Sequence, residues 1–239
     1  CHCKGIRTPT LEQGHLTIDL IGENTIDAER NTGISLNGRS GSSLTITSQL
    51  GGSLAISVLS DGYRGINADD TTNIHYSLTI GGNAKIAINV RGDGQASGIA
   101  GNDISIIDQA SVDITVGGLT HAVSNSGFIN GILISASSSG PCNFLLDTTG
   151  KVNIDVSDIN ADEGYSTGIN ATGSQDLRHV GEMTIRWATT DSRYGGPLSP
   201  AGTEFSQEHA INIDENNCYA SYRAGKPYTV NVSYGKLTG

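Results

Sequence analysis

The sequence predicts an all-β protein, a right-handed parallel β-helix of about six to eight coils. Three observations carry that expectation. A three-part phrase of short apolar strands recurs along the chain, and Gly33, Gly65 and Gly98 mark its third part at spacings of 32 and 33 residues. Within each strand apolar and small polar residues alternate, the period-2 signature of a half-buried sheet. No apolar stripe of helical period appears, and the 239 residues include 32 glycines that, with Asn, Asp and Ser, interrupt the chain every few positions.

The first strand of the phrase reads Leu16-Thr17-Ile18 and returns as Leu44-Thr45-Ile46, Leu78-Thr79-Ile80, Ile104-Ser105-Ile106 and Met183-Thr184-Ile185. Its two apolar residues face one way and the hydroxyl between them faces the other. The second strand is Asn24-Thr25-Ile26, then Ser53-Leu54-Ala55-Ile56, Ala84-Lys85-Ile86-Ala87-Ile88, Ser111-Val112-Asp113-Ile114 and Lys151-Val152-Asn153-Ile154. The third is shorter: Gly33-Ile34-Ser35, Gly65-Ile66-Asn67, Gly98-Ile99-Ala100, Ala122-Val123-Ser124, Gly168-Ile169-Asn170 and Ala210-Ile211-Asn212. One such unit leaves its apolar side chains open, whereas stacked units bury them in a continuous core and pair every backbone group. Glycines at the corners then follow from positive φ or from crowding between coils. A β-sandwich also alternates but does not repeat one three-part phrase at a fixed period.

The whole chain reads as a single domain. Regular coils occupy 14–127, and coils with inserted loops occupy 128–217. The loops include 136–143 and the longer 189–209, which holds Gly195, Gly196, Pro197, Pro200 and Gly202. Residues 218–239 are expected to cap the stack, with 228–234 as a capping or final strand, because a solenoid needs its end covered.

Composition excludes several classes. The 14 Lys and Arg against 24 Asp and Glu give a net charge of −10, and no basic cluster offers a nucleic-acid footprint. No run of apolar residues is long enough for a membrane span, and no Gly-X-Y period supports collagen. Cys1, Cys3, Cys142 and Cys218 suit disulfides or free thiols better than zinc, since no set of four metal ligands has suitable spacing. The chain opens without an initiator Met or a signal sequence, as expected of a mature form or part of a larger multidomain protein. Few Lys beside many Ser, Thr, Asn and Gly point to a secreted or cell-surface location.

The run Leu-Thr-Ile-Asp-Leu-Ile-Gly-Glu-Asn-Thr-Ile (16–26), with Gly-Ile after it and then Leu-Thr-Ile and Gly-Gly-Ser-Leu-Ala-Ile, resembles the β-helical repeats of bacterial secreted and surface proteins of the carbohydrate-binding-domain-containing type. The resemblance covers 14–115 well. It implies an extracellular module that binds a polysaccharide or cell-surface glycan, or serves an adhesive or structural role. It identifies a style of repeat rather than an activity.

Sugar recognition favours aromatic rings, and these gather late in the chain. Trp187, Tyr194, Phe205, Tyr219 and Tyr222, with Arg193, Glu204 and His209, are the candidate ligand-binding set if the 189–209 loop folds over the flank. Capping and core packing explain the same rings. Asp158, Asn160 and Asp162 alternate before Gly164 and form the candidate Ca²⁺ site, the one cofactor the sequence offers. It departs from the usual loop at Glu163 and Ile169, and for that reason a solvated acidic turn accounts for it better than a Ca²⁺ site does. The alternative function is a polysaccharide lyase or glycoside hydrolase, which needs two carboxylates across one bond or an Arg base with Ca²⁺. Asp61, Asp69, Asp70, Asp93 and Asp103 lie in turns where Asp is ordinary, and Arg64 and Arg91 stand about one repeat apart. No catalytic residue is assigned, since no nucleophile set has recognisable spacing. Arg91-Gly92-Asp93 and the Thr17, Thr45, Thr79 and Thr184 column are explained by turn chemistry and sheet propensity.

Overall fold

The computed structural model describes residues 2–3, 5–7, 14–59, 63–69, 75–92, 96–117, 128–135, 142–156, 165–171, 174–187, 196–199 and 228–232. These residues form strands and connections, with no helix among them. A first ladder stacks β3 (His15–Asp19), β6 (Ser43–Thr47), β9 (Ser77–Ile80), β12 (Asp103–Asp108) and the leading half of β15 (Asn143–Val156). A second stacks β1 (His2–Cys3), β4 (Glu23–Ala28), β7 (Ser53–Leu59), β10 (Lys85–Arg91), β13 (Ser111–Gly117) and the trailing half of β15. β17 (Ser174–Trp187) pairs along both halves of β15. Because β15 runs unbroken from one ladder into the other, the two make one curled sheet.

The third ladder is a separate seven-stranded sheet. It holds β2 (Ile6–Arg7), β5 (Ile34–Ser35), β8 (Arg64–Ala68), β11 (Ala96–Gly101), β14 (Phe128–Ile134), β16 (Tyr165–Ala171) and β18 (Gly196–Ser199). All of these pairings are parallel. β19 (Tyr228–Val232) instead runs antiparallel along β17, with Tyr228 opposite Trp187 and Val232 opposite Met183.

Register places like on like. Ile26, Ile56, Ile88, Ile114, Ile154 and Ile185 are successive partners along the second ladder. All six are at most 2% exposed. Each contributes on the order of 1.5–3 kcal/mol by leaving water, and a one-residue slip would turn the whole column outward. At the start of the first ladder Leu16 and Ile18 are only partly buried, whereas Leu44 and Ile46 one strand further are fully buried.

The glycine phrase of the third ladder has a packing cause. A Cβ on Gly33, Gly65, Gly98 or Gly131 would collide with Cγ2 of Ile56, Ile88, Ile114 or Ile154 respectively. It would also lie 2.6–2.8 Å from the carbonyl oxygen of the next glycine in the column. The third ladder therefore sits against the second closely enough that only hydrogen fits between them. At the corner between the first two ladders, two glycines are needed for a different reason. Gly22 and Gly51 have φ of +63° and +80° with no atom near the missing Cβ, so there the backbone conformation is what requires glycine.

Among the described residues, buried polar side chains are matched apart from the Arg186 Nε. The Ser48 hydroxyl donates to the Leu20 carbonyl (2.8 Å) and accepts from the Gly52 N–H (2.7 Å). Asn102 accepts from the Tyr76 N–H (3.0 Å) and donates to the Ser135 carbonyl (3.1 Å). Cys142 is buried, and its thiol donates to that same carbonyl at 2.8 Å. The side chains of the other three cysteines lie outside the described residues.

Two sequence expectations change. Met183-Thr184-Ile185 belongs to the second ladder, opposite Val152-Asn153-Ile154, rather than to the first. In that part of the chain the first-ladder strand is Phe144-Leu145-Leu146, which pairs with Ile104-Ser105-Ile106. The third-ladder place expected at 122–124, outside the described residues, is held by β14, where Ile132 pairs with Ile99 and Ile169. In each case pairing is decided by which apolar pair faces the core, and short phrases of the same polarity are interchangeable in sequence.

Candidate functional site

Along the second ladder alternate residues point away from the core, and register sorts them into columns. One column contains Glu23, Ser53, Lys85 and Ser111, continued by Lys151 opposite Glu182. The next runs Thr25, Ala55, Ala87, Asp113, Asn153 and Thr184. The third runs Asp27, Ser57, Asn89, Thr115, Asp155 and Arg186. At Ala55 and Ala87 only methyl groups rise from the middle column, so the surface sinks between its polar neighbours. The result is a trough of about 550 Å³ whose rim includes Ser53, Lys85, Asp113, Lys151, Asn153 and Glu182. A shallower depression of about 270 Å³ continues it past Ser57, Asn89 and Thr115.

The trough carries polar groups at its rim, at regular spacing, over a largely apolar floor. Strands recur about every 4.8 Å, so β7 through β17 present hydrogen-bonding groups over about 19 Å at a constant interval. Lys151 and Glu182 form an ion pair at 2.5 Å, and Asn153 Nδ2 donates to Asp113 Oδ1 at 2.9 Å. Arg186 Nη1 donates to Asp155 Oδ2 at 2.9 Å, while its buried Nε finds no acceptor. Among the described residues no carboxylate is paired with Lys85. A scaffold that holds donors and acceptors at fixed intervals, with little net charge, suits an extended polyhydroxylated chain rather than a single ion.

Of the residues anticipated for binding, Trp187 alone is described. It is 5% exposed, at the end of β17 beyond Val156, where its ring joins the core. Arg193, Tyr194, Glu204, Phe205, His209, Tyr219 and Tyr222 lie outside the described residues, as do Asp158, Asn160 and Asp162. Among the described residues no cluster of three metal-ligating side chains occurs.

Of the carboxylates weighed for hydrolysis, Asp69 and Asp103 are described, and each is already engaged. Asp69 is buried and paired with Arg64 at 3.2 Å, while Asp103 meets His75 Nε2 at 2.7 Å and accepts from Asn143. Asp61, Asp70 and Asp93 lie outside the described residues. Arg64 and Arg91 do not share a column, since one opens β8 in the third ladder and the other ends β10 in the second. Thr17, Thr45 and Thr79 do stack in register, but Thr184 belongs to the second ladder.

The trough residues were visible in sequence only as outward positions of the second phrase. The one signal for a depression was alanine at 55 and 87, where neighbouring repeats carry Thr25 and Asp113. No family model, curated protein or solved structure matches the chain. No helix among the described residues is long and apolar enough to cross a membrane.

Proposed function

We propose that the chain is a right-handed parallel β-helix of about six to eight coils that serves as an extracellular glycan-binding or adhesive module, with the trough on its second ladder as the binding surface. From β3 onward the chain passes through the first, second and third ladders in that order six times. Crossovers between parallel strands of one sheet are right-handed almost without exception, which favours that hand. β19 on the outer edge of β17 suits a cap, because it occupies an edge that would otherwise offer free backbone groups. The single observation that carries the binding role is the trough floored by Ala55 and Ala87 and rimmed by regularly spaced polar side chains. The composition and the repeat style support a secreted or surface location.

The binding reading is preferred to a polysaccharide lyase or hydrolase. Asp113 and Glu182 both line the trough, but Asp113 is engaged by Asn153, and Glu182 is 55% exposed and ion-paired. A general acid needs a shielded carboxyl facing a second carboxylate across the scissile bond. The test is a glycan array combined with incubation on acidic polysaccharides. Retention of one glycan class without new reducing ends or unsaturated products is expected. Release of either product overturns the non-catalytic reading, and binding to no glycan leaves a purely structural stalk.

A further inference from the structure

Near the start of the third ladder, away from the trough, Tyr63 is the one aromatic side chain among the exposed large hydrophobic residues described, at 37% exposure. It lines a separate cavity of about 340 Å³ with Arg7, Asn31, Thr32, Ser35 and the backbone at Gly5 and Ile6. The cavity is built on paired backbone. Ile6 N–H donates to the Gly33 carbonyl at 2.8 Å, and Arg7 lies opposite Ser35 in register. Gly5 has φ of +126°, which lets the strand turn beside the pocket.

Its lining combines four features. Tyr63 supplies an aromatic face in a chain with few rings. Arg7 is the sole charged residue among the described lining residues, and among the described residues no carboxylate is paired with it. Asn31 and Thr32 offer polar side chains with no described hydrogen-bond partner. The Ser35 hydroxyl accepts from Asn37 Nδ2 at 3.0 Å and retains its own proton to donate. The volume is near the low end for small-molecule sites, enough for one ring-sized ligand rather than a chain.

We propose that this cavity binds a single carboxylated sugar of the uronate class, its apolar ring face against Tyr63 and its carboxylate on the Arg7 guanidinium. Asn31, Thr32 and Ser35 meet the ring hydroxyls. An aromatic face rewards the C–H side of a pyranose, and a planar guanidinium takes a carboxylate through two parallel hydrogen bonds. The site uses none of the trough residues, so it stands or falls apart from the role proposed for the trough.

The test uses the full chain and calorimetric titration with glucuronate and galacturonate, against glucose, galactose and uridine monophosphate. The two uronates are expected to bind about tenfold more tightly than the neutral sugars, the scale of one charge-assisted contact. Arg7→Gln should abolish that preference and Tyr63→Ala should abolish binding, while Tyr63→Phe retains it. Lys85→Ala, in the trough, should leave uronate binding unchanged. If Tyr63→Ala fails to fold, the Tyr63→Phe and Arg7→Gln pair still decides the matter. No uronate binding at millimolar concentration overturns the proposal, as does equal binding of neutral sugars, indifference to Arg7→Gln, or preference for the nucleotide.

Discussion

A Cβ on Gly65 would collide with Cγ2 of Ile88, so the third ladder lies on the second with only a hydrogen between them at that point. The same contact recurs one coil on, between Gly98 and Ile114. Gly65→Ala should therefore cost about 3 kcal/mol, because both a buried methyl and the Gly98 carbonyl oxygen, 2.6 Å from the new atom, must give way. Gly22→Ala meets open space and only a φ of +63°, and should cost about 1 kcal/mol. Urea unfolding of the two variants measures the difference. Equal losses would show that the ladders can part far enough to take a methyl, so that crowding does not select glycine in the third ladder.

The isoleucine column predicts a graded response along the stack. Ile114→Ala leaves a cavity among fully buried neighbours and should cost about 3–4 kcal/mol, whereas Ile114→Val should cost about 1 kcal/mol. Ile18→Ala, at the partly buried start of the first ladder, should cost well under the Ile114→Ala value because water already reaches it. Unfolding midpoints at constant denaturant slope would rank the three.

Two ion pairs should differ in what their loss costs. The Asp69 side chain is 2% exposed and pairs with Arg64 at 3.2 Å. Arg64→Met strands that carboxylate without its cation and should cost about 2–3 kcal/mol, below the figure for a fully buried pair because Arg64 is itself 28% exposed. Lys151→Met breaks a shorter bridge, 2.5 Å, whose partners are 71% and 55% exposed, and should cost under about 1 kcal/mol. Burial, and not bridge length, decides which loss is large.

Filling the trough should separate binding from folding. Ala87→Trp places a ring over the floor, and Asp113→Ala removes a rim acceptor. Each should weaken retention on the selected glycan by about tenfold while moving stability by no more than about 0.5 kcal/mol, the usual range for exposed positions. A glycan array run beside thermal unfolding reads both quantities. Unchanged retention in both variants would remove the trough from consideration.

The alternation of Leu44-Thr45-Ile46 or Ser53-Leu54-Ala55-Ile56 already states which side chains face inward, so strand class and core membership were legible without coordinates. The recurrence of Gly-Ile at 33, 65 and 98 likewise placed three third-ladder strands correctly. Later strands were harder, since Met183-Thr184-Ile185 carries the polarity of either ladder and only pairing with Val152 assigns it. The first-ladder role of Phe144-Leu145-Leu146 was hidden because three consecutive apolar residues show no alternation. The trough was less legible still. Its residues come from strands 26 to 40 positions apart, and nothing in one strand says that Ala55 will lie beside Ala87.

By itself, then, the sequence determined that this protein is all-β, that its strands are short and one-faced, and where most of them begin. Those properties are local, set by side-chain period and by the residues that interrupt it. Tertiary structure decided which strands are neighbours, why glycine fills the third ladder, and that small outward side chains align into a depression. These depend on register between distant segments, which is fixed when Ile88 meets Gly65 and not before.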